Sequence, residues 1–120
     1  MKLDPLDKLF SEFIRRRAMQ RVGGCERCLN GKIDYKQLQC SHFHGRAKKS
    51  VRWDEDNAIG LCGACHMYLG ARPTEHVEFF KKLLGDKFDL LQTRSKPGKP
   101  DKELIQLYLR QQIEKLDKQH

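Results

Sequence analysis

The chain has 120 residues, of which 38% are hydrophobic and 33% are charged, so it has room for one small domain with outer helices but not for two full-sized domains. The 24 Lys and Arg residues exceed the 16 Asp and Glu residues and give a formal net charge of +8. This charge favours a polyanionic partner, and nucleic acid is the first expectation. No apolar run approaches the roughly 20 residues of a membrane-spanning helix, so no membrane partner is expected.

The N-terminal sequence lacks the apolar region of a secretory signal, which leads us to expect a cytoplasmic protein. Because the cytoplasm is reducing, the five cysteines are not expected to form a disulfide framework. Their arrangement along the chain favours metal binding instead.

Changes in composition divide the chain into four segments. Residues 1–24 are predicted to form a basic helix, and residues 25–92 a domain that contains all five cysteines and four of the five histidines. Residues 93–100 form a basic linker with two prolines and a glycine, and residues 101–120 form a last helix. The last helix is expected either to pack on the domain or to form a dimer contact.

Capping residues set the expected limits of the helices. Asp4 and Pro5 suit the first turn of the first helix, and Gly23 ends it. Thr74 is expected to cap a later helix that ends at Gly85. Short strands and loops are predicted for two runs, 32–39 and 42–53.

Apolar periodicity predicts which faces are buried towards the C-terminus. One further turn that closes the core is predicted from Phe88, Leu90 and Leu91. A single apolar stripe on the last helix is predicted from Leu104, Ile105, Tyr108, Leu109, Ile113 and Leu116.

Two Cys-x2-Cys pairs give the strongest signal in the sequence. Cys25 and Cys28 form the first pair, and Cys62 and Cys65 form the second. Each pair places two thiolates on one tight turn, and two pairs complete the tetrahedral sulfur site that structural Zn²⁺ prefers. Redox chemistry would need one pair beside a βαβ pattern, which the sequence lacks.

The segment between the two pairs is unusually long. Residues 29–61 span 33 positions, more than the roughly 15–20 of a simple zinc pair, so they should form a substructure attached to the metal. Cys40 lies within this segment, and it is either a small buried side chain or a competing ligand.

Histidines and one asparagine occur in a fixed order around the second pair. His42 lies in the long segment, Asn57 precedes the second pair, and His66 follows it directly. Imidazoles near a basic surface suit phosphodiester hydrolysis, which needs a base to activate water and a divalent cation to stabilise the developing charge.

These residues resemble the signature of HNH endonucleases. The matching tracts are Ser41-His42-Phe43, Arg52-Trp53-Asp54, Asp56-Asn57 and Cys62-x2-Cys65-His66, and they are especially similar to small phage-encoded members related to NinG and Rap recombination nucleases. The resemblance covers about residues 25–85.

The resemblance implies a small α+β zinc-binding domain with a ββα-metal core and flanking N- and C-terminal helices. It further implies a DNA endonuclease of DNA recombination or processing, acting in the bacterial host cytoplasm if phage-encoded. His42 would be the general base, Asn57 would orient the loop and His42, and His66 would bind a catalytic Mg²⁺, Mn²⁺ or other divalent cation.

One position departs from the family pattern. Many members have an acidic metal ligand just before the first histidine, whereas this chain has Ser41. The missing ligand could come from His44 or from His76. Alternatively, His42 could bind the metal while His44 acts as the base.

Basic residues near the motif are expected to contact DNA phosphates with little base specificity. They are Arg46, Lys48, Lys49, Arg52 and Arg72. Trp53 either stacks on a base or fills the core. Lys96, Lys99 and Lys102 either extend the phosphate contacts or belong to a solvated loop.

Two other functions stay open from the sequence. The first is a non-catalytic zinc module that binds nucleic acid or a phage protein. The second is a component of a recombination or packaging complex that is active only with its protein partner.

Overall fold

The structure is a computed structural model that describes residues 4–118. Its helices and strands are, in order, α1 (Pro5–Val22), β1 (Gln39–His42), β2 (Ala58–Leu61), α2 (Gly63–Gly70), α3 (Pro73–Leu84), α4 (Lys87–Arg94) and α5 (Lys102–Lys118). The ends of the two outer predicted segments, residues 1–3 and 119–120, lie outside the described residues. Across the described range, no helix combines the length and the apolar character needed to span a bilayer. The fold is a small α+β arrangement with a two-stranded sheet.

Helix α1 begins and ends where its capping residues predict. The Asp4 carboxylate accepts a hydrogen bond of 2.9 Å from the Leu6 N–H, which satisfies one of the free donors of the first turn. Gly23 ends the helix with φ 68°, a left-handed conformation that glycine adopts without steric cost. The predicted limits of this helix are therefore confirmed.

The two strands form one antiparallel pair. Gln39 lies opposite Leu61, and His42 lies opposite Ala58. Helix α1 crosses β2 so closely that a Cβ at Gly60 would lie 2.6 Å from the Cβ of Ala18. This contact fixes the first helix on the sheet.

The positions of the strands within the two predicted runs, 32–39 and 42–53, were wrong, because β1 overlaps each run by one residue and β2 lies outside both. Residues 43–53 form loops and a short 3-10 turn, and β2 lies at Ala58–Leu61 instead. All four strand residues are buried, so the strand is a short continuous apolar run without the alternation that marks a half-exposed strand. The Asp54 carboxylate accepts a 2.9 Å hydrogen bond from the Asp56 N–H and caps the turn that leads into the strand.

Helix α3 begins two residues earlier than predicted, because its cap is Arg72 and not Thr74. Pro73 is its first residue, so Thr74 lies inside the first turn and is not the cap. Proline suits this position because its missing N–H would have no partner there in any helix. The predicted end at Gly85 is confirmed.

Burial on the last two helices differs in part from the apolar pattern. Phe88 and Leu91 of α4 are buried, whereas Leu90 is 56% exposed. On α5, Leu104 is 64% exposed and Tyr108 is 41% exposed. The predicted stripe was too wide because the face of α5 that meets α1 is centred on buried Leu109 and Leu116.

Two hydrophobic clusters lie on the two faces of the sheet. Adjacent β2 residues Ala58 and Ile59 belong to different clusters, as the alternation of strand side chains requires. The knuckle core contains Cys25, Leu38, Ile59, Leu61, Cys62, Cys65, Leu69, Phe80 and Phe88 together with Ala18. The helical core contains Leu6, Phe10, Phe13, Ile14, Trp53, Ala58, Leu109 and Leu116. Trp53 is 8% exposed and thus fills the core.

A buried polar cluster ties α1 to the loop before β2. The Asp7 carboxylate accepts hydrogen bonds from the Arg52 guanidinium at 2.5 and 3.1 Å and from the Trp53 indole at 2.9 Å. Arg17 donates to the carbonyls of Glu55 and Ala58 at 2.9 and 2.8 Å. These contacts are long-range in sequence, and they hold the outer helix to the domain.

We expect Asp7→Asn to lower the free energy of unfolding by about 2 kcal/mol, because it leaves Arg52 without its charged partner. Burial alone raises the pKa of Asp7, but the hydrogen bonds from Arg52 and Trp53 outweigh it, and the net pKa lies below 3.8. The ionised Asp7 therefore stabilises the fold fully above pH 3.8. This stabilisation is lost as the pH falls through the lower pKa of Asp7 in the folded protein.

Urea unfolding at neutral pH measures this effect, and a double-mutant cycle with Arg52→Met isolates the pair. Asp86→Asn is the matched control, because Asp86 is exposed and its change should stay within about 0.5 kcal/mol. Equal stability of Asp7→Asn and wild type would contradict the prediction.

Candidate metal centre and histidine site

The four cysteines of the two pairs meet at one point. Their Sγ atoms all lie within 4.8 Å of one another, so they could hold a metal ion, as the spacing predicts. Cys28 and Cys62 have their Sγ atoms 3.8 Å apart. A metal–sulfur distance of about 2.3 Å in a tetrahedral site requires about this separation between sulfurs. Cys40 lies outside the group, and burial raises the pKa of its thiol to about 12.

Local backbone geometry brings each pair of sulfurs together. After Cys25 the chain turns tightly, with the Leu29 N–H donating to the Cys25 carbonyl at 2.9 Å and Leu29 at φ 63°. Cys62 caps α2, and its Sγ accepts a hydrogen bond of 3.5 Å from the Cys65 N–H. Both pairs therefore present their sulfurs from short, hydrogen-bonded turns.

The thiols of Cys25 and Cys65 shift in opposite directions, because burial raises the pKa of Cys65 to about 12 whereas the pKa of Cys25 is lowered. Burial alone raises the pKa of the Cys25 thiol, but backbone N–H groups of the two pairs outweigh it and lower the pKa to about 7. The Arg27 guanidinium donates to the Cys65 Sγ at 3.4 Å and stacks on the Tyr68 ring at 4.2 Å. Spacing of the cysteines gave no indication of this arginine contact.

Asn57 is fully buried and clamps the loop that follows β1. Its Oδ1 accepts from the His44 N–H at 2.8 Å, and its Nδ2 donates to the His44 carbonyl at 3.0 Å. Its own carbonyl accepts from the Phe43 N–H at 2.8 Å. The amide thus fixes the backbone directly after His42.

His42 is half-buried at the end of β1, with its ring 5.5 Å from the ring of Phe10. Its Nε2 is buried and has no hydrogen-bond partner. Burial lowers the pKa of His42, and the positive charge of Arg46 lowers it further. The imidazole is therefore neutral at physiological pH, with a nitrogen available to accept a proton.

His66 on α2 and His76 on α3 form a second imidazole group. His66 Nδ1 and His76 Nε2 are both buried without a hydrogen-bond partner. Burial lowers the pKa of His76, and the charge of nearby His66 lowers it further. The ring of His76 packs edge-on against Phe43 and Phe80, with centroids 5.6 and 5.1 Å apart.

His44 is held by a residue that the sequence did not single out. Its Nε2 lies 2.5 Å from the Oε1 of Gln92 on α4. Gln92 occurs in a segment predicted only to close the core, and no motif spacing marks it. The contact positions the His44 ring near Phe43, with centroids 4.8 Å apart.

The structure places the histidines in two environments. His42 contacts the helical core through Phe10, whereas His76 contacts the knuckle core through Phe80. Throughout residues 4–118, no hydrogen bond or ring contact joins His42 to His66 or His76. Within this same range the four cysteines form the single group of three or more His, Cys, Asp or Glu side chains that could hold a metal ion.

The predicted phosphate-contacting residues also differ in availability. Arg46, Lys48 and Lys49 are exposed. Arg52 is paired with Asp7, as described above. The Arg72 guanidinium stacks on the Tyr68 ring at 3.8 Å. Two of the five residues are thus already engaged with protein groups.

Comparison with known proteins finds no family model, curated protein or solved structure that matches this chain. The similarity to HNH endonucleases therefore depends on the motif residues alone. What the structure adds is a small α+β fold in which four cysteine sulfurs could bind one metal ion.

Proposed function

We propose that the protein is a metal-dependent DNA endonuclease of the HNH type. In this proposal β1, β2 and α2 form the ββα-metal core, and the four cysteines bind a structural Zn²⁺. The reaction is hydrolysis of a phosphodiester bond.

One observation carries the proposal. Four buried side-chain nitrogen or oxygen atoms among residues 4–118 have no hydrogen-bond partner, and three are ring nitrogens of His42, His66 and His76. An unsatisfied buried polar atom costs about 1–3 kcal/mol, so native proteins rarely keep one without a functional reason. Three of these four unpaired atoms belong to histidines that the sequence predicts as site residues. This supports a site in which a cation, a water molecule or a phosphate supplies the missing partners.

The histidines would divide the chemistry between them. His42, neutral and with an unpaired Nε2, would take the proton of the attacking water. His66 and His76 would hold the divalent cation, which supplies charge stabilisation for the phosphate. The proposal brings the base and the cation together at the end of β1, where His76 contacts Phe43, the residue that follows His42 directly.

The ligand set predicts which metals support cleavage. Imidazole nitrogens suit transition metals, whereas Mg²⁺ prefers oxygen ligands, and Ser41 replaces the acidic ligand of the family. We expect Mn²⁺, Co²⁺ or Ni²⁺ to support faster nicking of a supercoiled plasmid than Mg²⁺. EDTA should stop the reaction, and re-addition of the cation should restore it while the zinc content stays constant.

Absence of nicking with all of these cations would contradict the proposal, provided that the zinc content and thermal unfolding show a folded protein. Faster cleavage with Mg²⁺ than with Mn²⁺ would contradict the assignment of two imidazole ligands. A variant with His66→Ala and His76→Ala together should lose the metal response but keep its sulfur-bound zinc.

A second candidate function is a non-catalytic zinc module that binds nucleic acid or a protein partner. It is favoured because, within the described range, the cysteines alone supply three or more ligands to one point. Tight DNA binding without nicking under any metal would support this function. Nicking that appears only with an added recombination or packaging protein would instead support a component of a larger complex.

A further inference from the structure

A basic cleft lies between the loop at residues 47–53 and the linker at residues 95–100. Its larger part, about 510 Å³, is lined by Lys49, Arg52, Lys99 and Lys102, with Trp53 and the single carboxylate Asp4. Its smaller part, about 300 Å³, is lined by Lys48, Lys49, Ser50, Ser95, Pro97 and Gly98. The two parts share Lys49 and Gly98, so we treat them as one surface and name it the linker cleft.

Ion pairs anchor the linker at both ends. At its start, Arg94 donates to Asp54 at 2.6 Å and to Asp56 at 2.9 Å. At its end, Lys102 donates to Asp4 at 2.7 Å. The linker also touches the opposite loop, because a Cβ at Gly98 would lie 3.8 Å from the Cβ of Ser50. The cleft is therefore built by contacts at both ends of the linker.

The charges in the linker cleft are not balanced by the protein. Asp4 is already paired with Lys102, and Arg52 is paired with Asp7. Lys48, Lys49 and Lys99 are exposed and have no carboxylate partner in the part of the chain that the structure describes. Three neighbouring ammonium groups repel one another, and a polyanion would relieve that repulsion.

The linker cleft also lies next to the histidine site. Arg52 lines the cleft, and its positive charge contributes to the lowered pKa of His42. Arg46 is exposed directly before this loop, and its positive charge lowers the pKa of His42 as well. A chain of phosphates in the cleft would thus lie close to the imidazole.

We propose that the linker cleft binds the sugar-phosphate backbone of the DNA substrate, with Lys48, Lys49 and Lys99 as the phosphate contacts. The proposal rests on the proposed function in that it names how the same site holds its substrate. It assigns a role to residues 95–100, which lie outside the stretch that resembles the HNH family.

The test is the salt dependence of DNA binding, measured by fluorescence anisotropy with a short labelled duplex. Each phosphate contact adds about 0.9 to the slope of log affinity against log salt concentration. Lys49→Gln with Lys99→Gln should therefore reduce the slope by about two and weaken binding regardless of DNA sequence. The matched control is Lys36→Gln with Lys82→Gln, which removes the same charge from two exposed lysines elsewhere.

The expected result is a reduced slope for the cleft variant and an unchanged slope for the control. Equal slopes for the cleft variant and wild type would overturn the proposal that the linker cleft binds DNA, even if the variant still cleaves DNA. Equal reductions in the cleft variant and the control would also overturn it, because only net charge would matter. If the protein nicks no DNA but shows the slope change that is specific to the cleft variant, DNA binding by the linker cleft is supported and the nuclease function is refuted.

Discussion

Replacing His42 with alanine is expected to lower the rate of DNA cleavage by about 10²–10⁴-fold, the usual contribution of a general base. The substitution removes a neutral imidazole at the end of β1 whose buried Nε2 has no hydrogen-bond partner. Zinc content and thermal unfolding should stay close to wild type, because the ring lies outside the group of four sulfurs. Single-turnover cleavage with Mn²⁺ measures the effect.

His44→Ala is the matched control for this experiment. His44 lies two residues away, but one of its ring nitrogens already contacts Gln92. We expect a smaller loss of cleavage from this variant than from His42→Ala. The reverse order would reassign the base to His44, and normal cleavage by both variants would end the catalytic proposal.

Replacing Cys62 with serine is expected to remove the metal and the cooperative fold together. Cys62 lies in the knuckle core and caps α2, so its loss affects both a ligand and the packing around it. Structural zinc supplies about 10–16 kcal/mol of binding free energy in zinc-finger peptides. That range matches or exceeds the total stability of a typical domain, about 5–15 kcal/mol.

Zinc per chain by atomic absorption and thermal unfolding by circular dichroism check this prediction. Removal of the sulfur-bound zinc, by a chelator treatment much harsher than the brief EDTA step that stops cleavage, should unfold the wild-type protein as the Cys62→Ser substitution does. Cys40→Ala is the matched control, since Cys40 lies outside the sulfur group and its variant should keep one zinc. A Cys62→Ser protein with wild-type unfolding and no response to chelator would refute a structural metal.

Local chemistry explains the features that could be predicted from the sequence. Asp4 and Gly23 set the ends of α1 through contacts within a few residues, so the ends follow from residue types. The two Cys-x2-Cys pairs have the spacing of one site, and the sulfurs do meet. Asn57 lies at a predicted position, although its hydrogen bonds to the His44 backbone depend on tertiary folding and not on local sequence.

Features that depend on tertiary packing could not be predicted. Strand β2 is buried on both faces, so it lacks the alternation by which strands are recognised. Asp7 and Arg52 are 45 residues apart, and nothing in either local sequence indicates the pair. The linker cleft likewise depends on Arg94 and Lys102 pairing with distant carboxylates.

The close crossing of α1 over Gly60 bears on how this protein could be engineered or could diverge. The first helix supplies Phe10, Phe13 and Ile14 to the interior and buries Arg17 against the strand backbone, so it is an integral part of the globule rather than an appendage. Grafting residues 25–92 alone onto another protein would carry the sulfur ligands but would expose the apolar face of the sheet that α1 covers. Recombination between related sequences would therefore have to transfer α1 together with residues 25–92.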